Sequence, residues 1–133
     1  MDVLSGRTIV RPSDPAASQA FYRDVLGLAV YREFGDPAAP GMVFFLGTSL
    51  LEVSGAGASG GHGDVALWLQ VRDVHAEVER LAALGVGVAR GPRTEPWGLV
   101  EAWVADPDGI PIVLVEIPAD HPLRRDARWP APT

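Results

Sequence analysis

Asp14-Pro15-Ala16-Ala17-Ser18-Gln19-Ala20-Phe21-Tyr22-Arg23-Asp24-Val25-Leu26-Gly27 opens and closes like a helix. An aspartate can accept from the free N–H groups of a first turn. A proline at the next position has its φ already set for a helix, and a glycine after the last turn readily takes the conformation that ends one. Ala17, Phe21, Val25 and Leu28 recur at helical spacing and predict the buried stripe. About half a chain later the plan returns. Asp73 caps, Val74, Val78, Leu81, Ala82 and Leu84 form the stripe, and Gly85 stops it.

Working outward from these helices, each is preceded by one strand-like segment and followed by three. In the first half these are Arg7–Arg11, then Leu28–Phe34, Met42–Leu46 and Ser49–Ser54. In the second they are Val65–Val71, then Val86–Arg90, Leu99–Ala105 and Pro111–Ile117, with Gly35–Gly41 and Gly91–Gly98 left as loops. The duplicated β-α-β-β-β order predicts an α+β fold of two βαβββ modules in a single domain over residues 1–133. Module one runs from about 5 to 54, a linker from 55 to 63, module two from about 64 to 117, and a tail from 118 to 133. Gly55 to Gly63 matches G-x-G-x-x-G, but a nucleotide loop of that type must open a helix, and here a strand follows. It reads instead as a flexible joint, which permits exchange of halves between protomers. The tail, with Leu123 and Trp129 as anchors, reads equally as a disordered segment or as a strap onto a partner.

Composition narrows the function. The chain has 133 residues, 47% hydrophobic and 21% charged, enough for a real core without staples. There is no cysteine, which removes disulfides, thiolate metal sites and a Cys nucleophile, and suits a reducing cytoplasm. No leader-like or bilayer-length apolar run is present, so neither export nor a membrane partner is expected. A net charge of −6 makes nucleic acid a poor partner.

Asp14-Pro-x-x-Ser18-x-x-Phe21-Tyr22-x-x-x-Leu26-Gly27 resembles the first-helix signature of the vicinal oxygen chelate superfamily, which holds glyoxalase I, extradiol dioxygenases and the fosfomycin- and bleomycin-resistance proteins. Val71-x-Asp73-Val74 resembles the start of its second module, and Asp106-Pro107-Asp108-Gly109 its last hairpin. The resemblance covers about residues 7 to 117. It implies paired modules curling around a cavity, helices outside, and in metal-dependent members a His, Glu or Gln ligand on the first and last strand of each module. Those positions correspond here to Arg7, Glu52, Ala66 (within two residues) and Val113. Only Glu52 keeps a ligand side chain. A guanidinium has no lone pair to offer, Ala66 and Val113 cannot coordinate, and a stable transition-metal site needs three or more ligands. No metal and no cofactor are therefore expected. His62 in the linker, His75 in the first turn of the second helix and His121 in the tail read as surface histidines.

Strand alternation then predicts which side chains line the cavity. These are Arg7, Ile9 and Arg11 on the first strand, Leu50 and Glu52 on the fourth, and Ala66, Trp68 and Gln70 on the fifth. Glu101, Trp103, Val113 and Val115 come from the last pair. Leu67, Leu69, Val71, Val100, Ala102, Val104, Ile112 and Leu114 fall opposite, uniformly apolar, as packing under a helix requires. Phe45 adds aromatic surface, Trp97 lies in a rim loop, and Arg7 and Glu52 are placed to form an ion pair. The expected ligand set is Arg7, Ile9, Arg11, Phe45, Leu50, Glu52, Trp68, Gln70, Trp97, Glu101, Trp103 and Val113, with no catalytic residue among them. Resemblance to the bleomycin-resistance proteins implies a homodimer that sequesters an antibiotic; the tryptophans suit a planar compound, bleomycin-like or polycyclic of the anthraquinone type, and the acidic surface suits a cationic one. The alternative is an enzyme of the superfamily, a lyase, isomerase or dioxygenase, with a displaced metal site or none and acid–base work by Glu52 and Glu101.

Overall fold

A computed structural model of the chain describes residue 2, residues 7–56 and residues 65–122. The Gly-rich joint with His62 lies largely outside these residues, and so do Leu123 and Trp129 of the tail. The elements are β1 (Thr8–Val10), α1 (Pro15–Ala20), β2 (Val30–Phe34), β3 (Gly41–Leu46) and β4 (Ser49–Val53), then β5 (Leu67–Gln70), α2 (Val74–Ala83), β6 (Arg90–Thr94), β7 (Val100–Ala105) and β8 (Pro111–Glu116). They build two four-stranded sheets of matching order, β1-β4-β3-β2 and β5-β8-β7-β6. In each, the strand before the helix pairs in parallel with the last strand, and the other pairings are antiparallel. This is the doubled βαβββ plan. Two compact units result, one of residues up to Val65 with Asp106–Ile110, the other of Ala66–Ala105 with the residues from Pro111.

In the first sheet, Val10, Met42, Phe44, Leu51 and Val53 share the face that α1 covers, and all are buried. Each such side chain removed from water contributes about 1.5–3 kcal/mol. The Asp14 carboxylate caps the helix by accepting from the Ala17 N–H at 3.1 Å. The predicted stripe needs correction. Ala17 is exposed, whereas Ser18, Phe21 and Tyr22 are buried. After Ala20 the helix widens into a π turn over Phe21–Val25, in which the Leu26 N–H reaches the Phe21 carbonyl. The extra residue per turn rotates the face and drives Tyr22 against Phe44, ring centroids 6.1 Å apart.

In the second sheet, Leu67, Ala102, Val104, Ile112 and Leu114 face α2, as alternation predicted. Asp73 caps α2 by accepting from the Ala76 N–H at 3.0 Å, and Val74 and Leu81 are the buried stripe. Ala82 and Leu84, expected in it, are exposed. The strand expected at Val86–Arg90 instead begins at Arg90 and runs to Thr94, into the segment expected as the Gly91–Gly98 loop. Gly91 and Pro92 disguise it in sequence. As an edge strand bulged between Arg90 and Arg93, it tolerates a proline that a central strand would not.

The signature residues of the first helix and of Asp106–Gly109 meet in one polar clamp. Tyr22 Oη donates to Asp106 Oδ2 at 2.9 Å, and Asp106 Oδ1 accepts from the N–H groups of Asp108 (2.8 Å) and Ile110 (2.9 Å). The Asp108 carboxylate accepts from the Ser13 N–H and hydroxyl and from the Ser18 hydroxyl. Burial and the Asp106 carboxylate push the Tyr22 phenol far above its ordinary value. These bonds tie the first helix to the Asp106–Ile110 turn.

Candidate functional site

Each sheet has a second face, turned away from its helix, and the predicted site residues divide between the two. In the first sheet Ile9 and Val43 flank Glu52 in register, and Phe45 pairs with Leu50. Glu52 is 9% exposed, while Ile9 and Phe45 are about half exposed. Arg7 Nη1 donates to Glu52 Oε1 at 3.0 Å, and the Ser54 hydroxyl donates to Glu52 Oε2 at 2.6 Å. Arg11 Nη1 reaches the Ser54 hydroxyl at 2.9 Å. The Ser54 hydroxyl first, then Arg7 and Arg11, hold the Glu52 carboxyl below the usual carboxylate range against the opposing cost of desolvation. Glu52 is therefore an anion locked to a cation at neutral pH, a poor proton acceptor. Ser54 was missed from the sequence, although it lies two residues after Glu52 on the same side of the chain. Tyr31 stands edge-on to Phe45 at 5.1 Å and is exposed.

In the second sheet, Trp68, Val113, Trp103 and Arg90 form one row across the strands, and Gln70, Val115, Glu101 and Arg93 form the next. The floor is apolar. Leu99, Val113, Val115 and Ile117 cluster, and Trp103 packs on them. The three tryptophans predicted for the site thus differ. Trp103 fills the floor, while Trp68 is 52% and Trp97 57% exposed. Val113, only 4% exposed, is floor rather than surface.

Trp97 sits at the tip of the β6–β7 hairpin. The Gly98 N–H donates to the Glu95 carbonyl and the Glu95 N–H to the Leu99 carbonyl, and Gly98 adopts φ +89°. That left-handed residue closes a three-residue hairpin loop. The tip is fixed from two further directions. The Trp97 indole N–H donates to Glu101 Oε2 at 2.7 Å, and a His121 ring nitrogen lies 2.8 Å from the Trp97 carbonyl. His121 thus has a backbone partner, whereas His75 is exposed on α2. Beside the loop, the buried carboxylate of Glu95 pairs with Arg90 and with Arg93, the latter at 3.0 Å. Arg93 first and then Arg90 hold the Glu95 carboxyl below its ordinary range. Arg90 Nε, also buried, has no hydrogen-bond partner among the described residues. This group was invisible in the sequence because Gly91–Gly98 read as a loop.

A family model described as Glyoxalase/Bleomycin resistance protein/Dioxygenase superfamily matches residues 5–114. The chain belongs to that superfamily. No curated protein matches it by sequence. Among solved structures of this superfamily's fold, TnmS3, an antibiotic binding protein from Streptomyces sp. CB03234, aligns with TM-score 0.73 at 24% identity, covering 88% of this chain and 98% of its own. TioX from Micromonospora sp. ML1 aligns with TM-score 0.69 at 19% identity, covering 84% and 94%. A lactoylglutathione lyase from Agrobacterium tumefaciens aligns with TM-score 0.64 at 24% identity, covering 87% and 94%. Likeness at these identities is a likeness of fold.

The register tests whether this chain fits the divalent metal of the metal-dependent superfamily members. Ile9 pairs with Glu52 and Trp68 with Val113, each pair in the parallel ladder five residues before a capping aspartate. Glu52 and Val113 therefore occupy equivalent places in the two modules, and so do Arg7 and Ala66. One place offers a carboxylate already neutralised by arginine, and its counterpart offers a valine. Among the described residues no group of three or more His, Cys, Asp or Glu side chains could hold a metal. The donor set does not fit that metal.

Proposed function

We propose that this superfamily member is a non-enzymatic binding protein that holds a flat aromatic natural product of the antibiotic class, bleomycin-like or polycyclic of the anthraquinone type, and so keeps it from its target. One observation carries the reading. Trp68 and Trp97 stand more than half exposed beside an apolar floor, in a module whose chelating positions are Ala66 and Val113. Indoles left in water forgo the burial and stacking that a flat ligand supplies, and each aromatic pair is worth about 0.5–1.5 kcal/mol beyond its area. The loop that presents Trp97 is pinned at Glu101 and His121, so little ordering cost remains for binding. Fold neighbours that include an antibiotic binding protein support the same reading.

We place this function in a homodimer in the cytoplasm. The absence of cysteine suits a reducing compartment, and among the described residues no helix is long and apolar enough to cross a membrane. The test is tryptophan quenching on titration with bleomycin and with an anthraquinone. Mass spectrometry of the released compound and sedimentation of the complex complete it. Saturable quenching by one of them, with the compound recovered unchanged from a dimer, is expected. A chemically altered compound would overturn the reading in favour of an enzyme.

A further inference from the structure

Among the described residues three glutamates are buried, and two of them are matched there with arginines. Glu52 has Arg7, and Glu95 has Arg90 and Arg93. Glu101, 7% exposed, lies on the floor of the tryptophan face among Leu99, Val115 and Trp103, and its hydrogen bond is the one from the Trp97 indole. No arginine within ion-pair distance of it is found among the described residues. The reason is local. Arg93 stands directly across from Glu101 in the β6–β7 ladder, but its guanidinium turns to Glu95, with Nε at 3.0 Å and Nη2 at 3.4 Å. A carboxylate on an apolar floor without a counter-charge is costly unless a partner arrives from outside. The two exposed indoles of this face, Trp68 and Trp97, also attract cations.

We propose that Glu101 is the receptor for a protonated amine on the ligand, so that the site selects aromatic compounds carrying an ammonium arm over neutral compounds of the same shape. The proposal rests on the aromatic-ligand reading above. It assigns each part of the ligand a place. The ring lies against Trp68 and Trp97, and the ammonium donates to the Glu101 oxygen that Trp97 leaves open. Glu101 also positions Trp97, so a loss of binding in a variant could come from the indole alone. The test must therefore keep that hydrogen bond and remove only the charge.

Two probes make the comparison, an anthraquinone with one aminoethyl arm and its hydroxyethyl counterpart, each titrated by tryptophan quenching. The wild-type protein is expected to bind the amine at least about tenfold more tightly, about 1.4 kcal/mol. In Glu101→Gln, where the amide oxygen still accepts from Trp97, the preference is expected to vanish while the hydroxyethyl probe binds within about threefold of wild type. Glu79→Gln, on the exposed side of α2, controls for general acidity and is expected to keep the preference. Should the glutamine variant fail to fold, Glu101→Asp retains the charge and is expected to retain the preference. Equal affinity for the two probes in wild type overturns the proposal and leaves aromatic binding intact. So does an amine preference that survives Glu101→Gln or is lost in Glu101→Asp. Failure of both probes to quench wild type overturns the aromatic reading itself, and the ammonium receptor with it.

Discussion

Replacing Tyr22 by Phe removes one oxygen from the clamp between the first helix and the Asp106–Ile110 turn. The ring is fully buried and packs on Phe44 and Phe21, so the phenyl group fills the same space and the cavity is negligible. What is lost is a 2.9 Å hydrogen bond to Asp106, itself 6% exposed, whose Oδ2 is left without that donor. A hydrogen bond to a charged group contributes about 1.5–3 kcal/mol. With Asp106 Oδ1 still bound to two backbone N–H groups, the cost should be near the middle, about 2 kcal/mol. For a chain of this size that lowers Tm by roughly 6–10 °C. Urea unfolding followed by circular dichroism measures it. Burial of the phenol, and then the neighbouring Asp106 carboxylate, sets an alkaline limit. The folded phenol titrates far above its ordinary value of 10.0, so its stabilisation is complete below about pH 10 and falls as pH rises beyond that. Wild type should therefore lose stability above pH 10, and Tyr22→Phe should lose this component of the slope. A loss under about 0.5 kcal/mol at pH 7, with an unchanged alkaline limb, would refute the clamp.

Other substitutions probe the rest of the account. The Glu52 carboxyl is held below its ordinary 4.5 in the folded chain, so its contribution is full above that pH and is lost as pH falls through the folded value. In Glu52→Gln, acid unfolding below pH 4.5 should lose steepness; an unchanged acid limb would show that the Arg7 and Ser54 contacts do not persist in solution. Gly41 lies under the ring of Phe34, where a Cβ would stand inside contact distance of three ring atoms. Gly41→Ala should cost about 1–3 kcal/mol in urea unfolding, and a neutral result would mean that the ring moves aside freely. Asp73→Ala removes the cap of α2 and should cost about 1 kcal/mol, read by the same method, with no effect on ligand affinity.

The helices announced themselves through their ends. Asp14, Pro15, Asp73 and Gly85 act locally, and a local rule can be read from a local sequence. Alternation sorted the faces of β5, β7 and β8 because a strand with one apolar side admits a single register. Two features escaped for physical reasons. The π turn at Phe21 goes with a contact of Tyr22 with Asp106, more than eighty residues away, and no helical template contains that contact. Strand β6 carries Gly91 and Pro92 because it is an edge, and whether a strand is an edge is a property of the sheet. Of the site, the Arg7–Glu52 pair was legible from a cation and an anion at matched strand positions. The diversion of Arg93 from Glu101 to Glu95 was not, since it follows from the bulge between Arg90 and Arg93.

In the function proposed above, the protein holds an aromatic ligand intact without a metal. Native mass spectrometry of the full chain with the aminoethyl anthraquinone tests it most directly, once in chelator and once with added Ni, Fe, Zn and Mn. A complex whose mass is protein plus unaltered ligand is expected, formed equally in both conditions and with no metal adduct of whole-number stoichiometry. A complex that forms only with one bound metal per chain, or a ligand of changed mass, would contradict it.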